Sequence, residues 1–254
     1  MAHRFKAPAW AQPAQVADLL RLSIPVAFSR MAVPVMSVTD VVVLGRMAQL
    51  EVPYIANGYL VVSVGLAVGI GLLQGIQVFT AELSGVGQQH NTGRVFRRGL
   101  WIGLLLGVIF TLVNLALARP VFTALGFSPE IVAGAVSASV ILGWGLVWHM
   151  LSMACSFYLE ALRRPGIVTV IMYAGVVVNL LFDLAFVAGW WGFPQLGADG
   201  VAWATTGTRI FLSLVLLGCV FAFTPGFRKS APAPKNEWRR QNSVGAGSAV
   251  ANAA

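Results

Sequence analysis

Six long apolar runs organise this chain, separated by short breaks rich in charge, glycine or proline. They fall near residues 19–45, 55–81, 99–118, 131–159, 167–191 and 201–223. A helix needs about 20 largely apolar residues to cross the hydrocarbon of a bilayer. Residues 99–118 and 131–159 each reach that length without a single Asp, Glu, Lys or Arg. The breaks include the polar run 85–98, Arg119-Pro120, Arg163-Arg164-Pro165 and the segment 192–200 around Pro194, all turn signals. Period-two alternation is absent, so the pattern predicts helices and not a barrel.

The pattern predicts an all-α integral membrane protein in three parts. These are a cytoplasmic tail over 1–18, a six-helix lobe over 19–223 and a disordered cytoplasmic tail over 224–254. The last part is polar, basic and rich in Ala, Ser, Pro and Gly, with little apolar periodicity, a composition that cannot bury enough apolar surface to order itself. The first run is too long for the h-region of a cleavable signal peptide and lacks a small-residue cleavage site.

Composition agrees. Hydrophobic residues make up 57% and charged residues 10% of the chain, and the mean hydropathy is +0.78. A water-soluble domain needs more charge on its outside. The net charge of +8 points to membrane orientation and away from nucleic acid, because the basic residues cluster in the breaks. Thirteen Lys and Arg fall on the side of the termini, in the tails, at Arg21 where span one opens, and in the second and fourth breaks, against Arg46 and Arg119 opposite. The positive-inside rule then predicts an inner-membrane protein with both termini cytoplasmic. Trp190 and Trp191 fall at the outer interface, and Cys155 and Cys219 inside apolar runs predict no disulfide.

Charge within a span is costly, about 2.5–3.5 kcal/mol on insertion scales, and asks for a reason. Arg30 and Asp40 in span one, Asp183 in span five and Arg209 in span six stand out. Asn179 and Asp183, like Thr205 and Arg209, are four apart and share a helix face. At ~1.5 Å per residue, Asp40 lies roughly 9 Å below Arg46 and Asp183 roughly 12 Å below Trp191. Pro25 and Pro34 free backbone carbonyls in span one. A polar site shared by spans one, five and six fits these depths. Two nearby acids in a low-dielectric cavity resist ionising together, which lets a proton load and leave. With an amide and a hydroxyl they also offer hard oxygens suited to Na⁺. The alternative is structural, with Asp183 paired to Arg209 and Asp40 paired elsewhere.

The remaining polar groups carry weaker expectations. Arg30 faces a cavity or snorkels inward, and His149 is a buried, hydrogen-bonded histidine or, alternatively, a proton relay. Glu160 pairs with the adjacent Arg163 and Arg164. Gln74 and Gln77 line a pathway or bond neighbouring helices. Neither a zinc-type His-Glu-x-x-His helix, nor a nucleophile elbow, nor a phosphate loop is present, so no enzyme and no cofactor is expected.

Several segments in order resemble the multidrug and toxic compound extrusion (MATE) transporters. "SIPVAFSRMAVPVMSVTDVVVLGRM" is similar to their first helix, and "GLLQGIQVFTAELSGVGQQHNTGRVFRRG" to the second helix and its loop. "FYLEALRRPGIVTVIMYAGVVVNLLFDLAFV" resembles the fourth-to-fifth helix region, and "LGADGVAWATTGTRI" the start of the sixth. The resemblance implies an antiporter that exchanges cationic or amphipathic organic compounds for H⁺ or Na⁺. It places the coupling cation at Asp40, Asn179, Asp183 and Thr205; Arg30, Arg209 and Gln74 are, from their positions within spans, the candidate pathway or ion-pair residues. Members of that family have two six-helix lobes and this chain has one. The expectation is therefore a fragment, or a half completed by a second copy or a separate carboxy-terminal half. A lipid-precursor flippase of the same superfamily and a non-transporting assembly partner are the alternative functions.

Overall fold

A computed structural model describes residues 13–228 and 237–253. Six helices there are long and apolar enough to cross a membrane. They are α1 (Pro13–Met47), α2 (Val52–Gly85), α3 (Thr92–Ala124), α4 (Pro129–Ala161), α5 (Pro165–Phe186) and α6 (Gly197–Phe223). A further helix, α7 (Glu237–Ala253), follows. No strand occurs among the described residues.

Local chemistry sets the helix ends. Ser128 caps α4 through its hydroxyl, which accepts from the Ile131 N–H at 3.4 Å, and Pro129 opens the first turn. The Glu51 carboxylate accepts from the Ala198 N–H at 2.7 Å and so caps α6 from across the bundle. That approach needs Gly197, whose φ of +56° is left-handed and whose Cβ position would run into Glu51. At the opposite end α4 closes with Arg163 at φ +59°, its successor's N–H reaching back to the Leu159 carbonyl at 3.0 Å.

The helix α4 is the hub, packed along α2, α3 and α6, while α5 lies against α6 and α1 leans chiefly on α5. Its neighbour in sequence, α2, barely touches α1. The α3–α4 seam is tight and polar. A Cβ at Gly107 would sit 2.5 Å from the Val147 Cα. The Thr111 hydroxyl lies 2.8 Å from the Gly143 carbonyl. Asn114 donates to the Ser139 carbonyl at 2.7 Å and accepts from the Ser139 hydroxyl at 2.8 Å. Within a membrane such small-residue and amide contacts supply what burial of apolar area cannot.

α1 begins at Pro13, inside the tail expected over 1–18, and α3 at Thr92, inside the polar break expected over 85–98; three other boundaries differ from the sequence reading. Arg119-Pro120 does not end the third span, because α3 carries Pro120 through to Ala124. The fifth span stops at Phe186, not at residue 191, where the N–H groups of Val187 and Ala188 both turn back to the Asp183 carbonyl at 2.8 and 3.3 Å. The third concerns the tail, expected to be disordered over 224–254. Residues 224–228 form turns and α7 packs antiparallel on α2. Polar contacts compensate for the scarce apolar side chains. Glu237 takes Arg94 at 3.0 and 2.6 Å and Arg98 at 3.3 Å, and Gln241 donates to the Val95 carbonyl at 3.3 Å. The small Gly75 and Gly245 let the two backbones approach. Residues 1–12, 229–236 and 254 of the predicted tails lie outside the described residues.

Candidate functional site

The site begins with one helix face. On α5, Gly175, Asn179 and Asp183 repeat every four residues and so line up along the helix. At Gly175 a Cβ would meet Leu212 of α6 at 2.7 Å and Met36 of α1 at 3.1 Å, so this face is wedged between α1 and α6. One turn beyond Met36 is Asp40, and two turns before Leu212 is Thr205. The three stripes therefore bring Asp40, Asn179, Asp183 and Thr205 together.

The Thr205 hydroxyl donates to Asp40 Oδ2 at 3.3 Å and meets the Tyr59 hydroxyl of α2 at 3.4 Å. The side chains of Asn179 and Asp183 face the Asp40 carboxyl. All three are withdrawn from the surface, with exposures of 5% for Asp40, 1% for Asn179 and 0% for Asp183. Yet Asp40 Oδ1, Asn179 Oδ1 and both carboxylate oxygens of Asp183 have no hydrogen-bond donor among the described residues. Buried acceptors left without donors are costly. A proton held between the two carboxyls would bond them, and a small hard cation would take the same oxygens.

Asp40, Asn179 and Thr205 open onto a cavity of about 450 Å³ lined by residues of α1, α2, α4, α5 and α6. Its walls include Met36, Met153, Met172, Leu66 and Ile70, flexible apolar side chains that accommodate varied shapes. Ser37, His149, Arg30 and Arg209 line it too.

The charged side chains fall into two groups. Arg209 points past Gly145, where a Cβ would lie 3.0 Å from its Nη1, and donates to the Leu142 carbonyl at 3.2 Å. It forms no ion pair with Asp183 within 4.0 Å, so the structural alternative for Asp183 is not realised among the described residues. Arg30 sits at the other end of the cavity. Its Nη2 contacts Glu160 Oε1 at 3.2 Å and Oε2 at 2.9 Å, and its guanidinium lies 5.0 Å from the Phe157 ring centre.

Two further expectations change. Glu160 does not pair with Arg163 and Arg164. Its partners are Arg30 and Gln77 Nε2, the latter at 3.4 Å, because its side chain turns into the bundle, away from the α4–α5 turn. His149 is half-buried on the cavity wall and makes no side-chain hydrogen bond among the described residues. Gln77 bonds a neighbouring helix, whereas Gln74 is half-buried on α2 and does not line this cavity. Sequence reasoning missed Tyr59, whose hydroxyl beside Thr205 carries no signal in an apolar run, and the Thr111–Asn114–Ser139 seam. Asn114 in an otherwise apolar stretch is the one clue to the latter.

A family model described as MatE matches residues 25–185. The chain is 38% identical over 204 residues to the probable multidrug resistance protein NorM of Caulobacter vibrioides, a match covering 78% of this chain and 42% of that protein. It is 26% identical to the multidrug resistance protein PmpM of Pseudomonas aeruginosa, with 80% of this chain and 43% of that protein covered. Among solved structures, the outward-facing conformation of a multidrug resistance MATE family transporter superposes with a TM-score of 0.82 at 20% identity. That superposition covers 92% of this chain and 52% of the other. A MOP superfamily transporter from Pyrococcus furiosus gives a TM-score of 0.80 at 19% identity, covering 92% and 52%. The chain thus spans less than half the length of the curated relatives it matches, at their amino-terminal half.

Proposed function

The chain belongs to the MatE family, and from that membership we propose that it forms one lobe of a cation-coupled exporter of cationic or amphipathic organic compounds. In this reading H⁺ or Na⁺ binds at Asp40, Asn179, Asp183 and Thr205 and drives the exchange. The observation that carries it is the set of buried, donor-less oxygens on Asp40, Asn179 and Asp183, beside a cavity walled by methionine and aliphatic side chains. The names of the relatives, multidrug resistance proteins, supply the class of cargo. A flippase for anionic lipid precursors is less well supported, because Arg30 is already matched by Glu160.

The residues act in simple ways. Asp40 and Asp183 hold the cation, Thr205 orients the Asp40 carboxyl, and Asn179 contributes an amide oxygen. Charge neutralised at Asp40 changes what the cavity presents to an organic cation, so the two ligands compete for one field. By the basic residues at the termini end, the protein lies in the inner membrane with both termini cytoplasmic. A second six-helix lobe completes the pathway, supplied by another copy of this chain or by a separate carboxy-terminal half.

Ethidium efflux from energised cells lacking their own pumps tests this reading. The chain is expressed alone and with a carboxy-terminal half taken from a relative, at matched membrane levels. Efflux that Asp40→Asn and Asp183→Asn both abolish supports it. Efflux that survives both substitutions overturns the assignment of the cation site.

A further inference from the structure

The cation site uses one end of the cavity. The other end holds a polar junction with no part in that site. There Glu160 of α4, its side chain 1% exposed, accepts from Arg30 of α1 at 2.9 and 3.2 Å and from Gln77 of α2 at 3.4 Å. Arg30 stands ten residues before Asp40, about 15 Å along the helix. Three helices are thus joined through a single carboxylate.

The backbones of α1 and α2 barely approach each other, and α1 rests on α5. Where α1 and α2 stay apart, Arg30 of α1 and Gln77 of α2 meet on the Glu160 carboxylate of α4. Arg30 remains 39% exposed on the cavity side, laid over the Phe157 ring with its Nη1 3.6 Å from Met153 Sδ. A merely structural pair is better replaced by packed apolar side chains, since the desolvation cost of a buried pair offsets its attraction. An ion pair with one partner wetted by the cavity can be broken at lower cost. Pro34 has no N–H to donate to the Arg30 carbonyl, so α1 lacks a helical bond between the junction and Asp40 and bends there more easily.

We propose that Glu160 is a positioning residue of transport, which holds the cavity shut at the end carrying the chain termini by tying Arg30 and Gln77 to α4. Release of the tie opens the cavity on that side. The inference rests on the transporter reading above but concerns access, not coupling.

Access is measured by labelling. Ser152, which lines the cavity and is 2% exposed, is changed to cysteine in the full chain carrying Cys155→Ala and Cys219→Ala. A membrane-impermeant maleimide is added to vesicles of both orientations. The expected result is slow labelling from the termini side, made about tenfold faster by Glu160→Gln or Arg30→Gln, as when a minor open state becomes a major one. Labelling from the opposite side stays unchanged, and Arg30→Lys, which keeps the charge, stays near the parent rate. Where Glu160→Gln does not insert, Gln77→Leu removes the α2 arm alone and carries the same one-sided prediction. Fast termini-side labelling of the parent, acceleration from both sides, or no acceleration overturns the proposal. The readout needs neither cargo nor coupling ion, so failure of the efflux experiment leaves it standing, and the reverse holds too.

Discussion

At the scale of single residues, the cation site depends on short polar side chains placed by helical spacing. Thr205 has one role that can be isolated: its hydroxyl donates to Asp40 Oδ2 and touches Tyr59. Thr205→Val keeps the shape and removes the donor. The half-maximal cation concentration for cation-driven efflux is expected to rise about fivefold, the equivalent of ~1 kcal/mol for one hydrogen bond. An unchanged value would remove Thr205 from the site. A second prediction concerns Arg163, which ends α4 in left-handed geometry. Arg163→Gly relieves the Cβ clash and is expected to stabilise the folded protein by ~1 kcal/mol in a thermal melt. At this scale the sequence was most legible where the membrane makes polarity expensive. Asp40, Asp183 and Arg209 stand out because charge in an apolar run needs a reason. Glu160 was misread for the opposite reason, since Arg163 and Arg164 beside it hid a partner 130 positions away.

At the scale of elements, the bundle is held by close seams. Gly107 is the sharpest case, because the obstacle to a Cβ there is the Val147 backbone and not a side chain that can swing aside. Gly107→Ala is expected to cost about 1–3 kcal/mol of stability by forcing α3 from α4. Gly218→Ala, where nothing lies within 4 Å, is expected to be neutral or slightly favourable. Unfolding of the two variants in the same detergent measures the difference, and equal effects would mean that the seam is looser than its geometry. The six helices were legible from apolar run length alone, but their ends were not. Pro120 reads as a breaker, yet a proline near a helix end leaves only one carbonyl without its donor, and α3 continues past it. The end of α5 at Phe186 was hidden because the residues after it, Val187 to Trp191, are as apolar as the helix.

At the scale of the molecule, the segment after α6 is the part that composition described least well. Its residues lack an apolar stripe, so nothing in the sequence predicts order. Its helix instead docks through groups that periodicity does not record. Glu237 meets Arg94 and Arg98, Arg240 contacts Glu82 at 3.5 Å and lies 5.3 Å from the Phe79 ring centre, and two glycines allow backbone contact. Arg97 meanwhile binds the carbonyls of Gly226 and Arg228 at 3.1 and 2.6 Å, so the α3 arginines hold both the start of the tail and its helix. Arg94 and Arg98 share the one carboxylate of Glu237, in the first turn of α7. Hydrogen exchange on the intact chain in detergent should therefore show protected amides from about residue 240 onward. Glu237→Gln, which removes the charge and keeps the size, should raise exchange across the whole of α7 together while leaving α2 and α3 unaffected. Exchange at the rate of an unstructured peptide in the parent chain would return the segment to a disordered tail and leave the six-helix lobe complete without it.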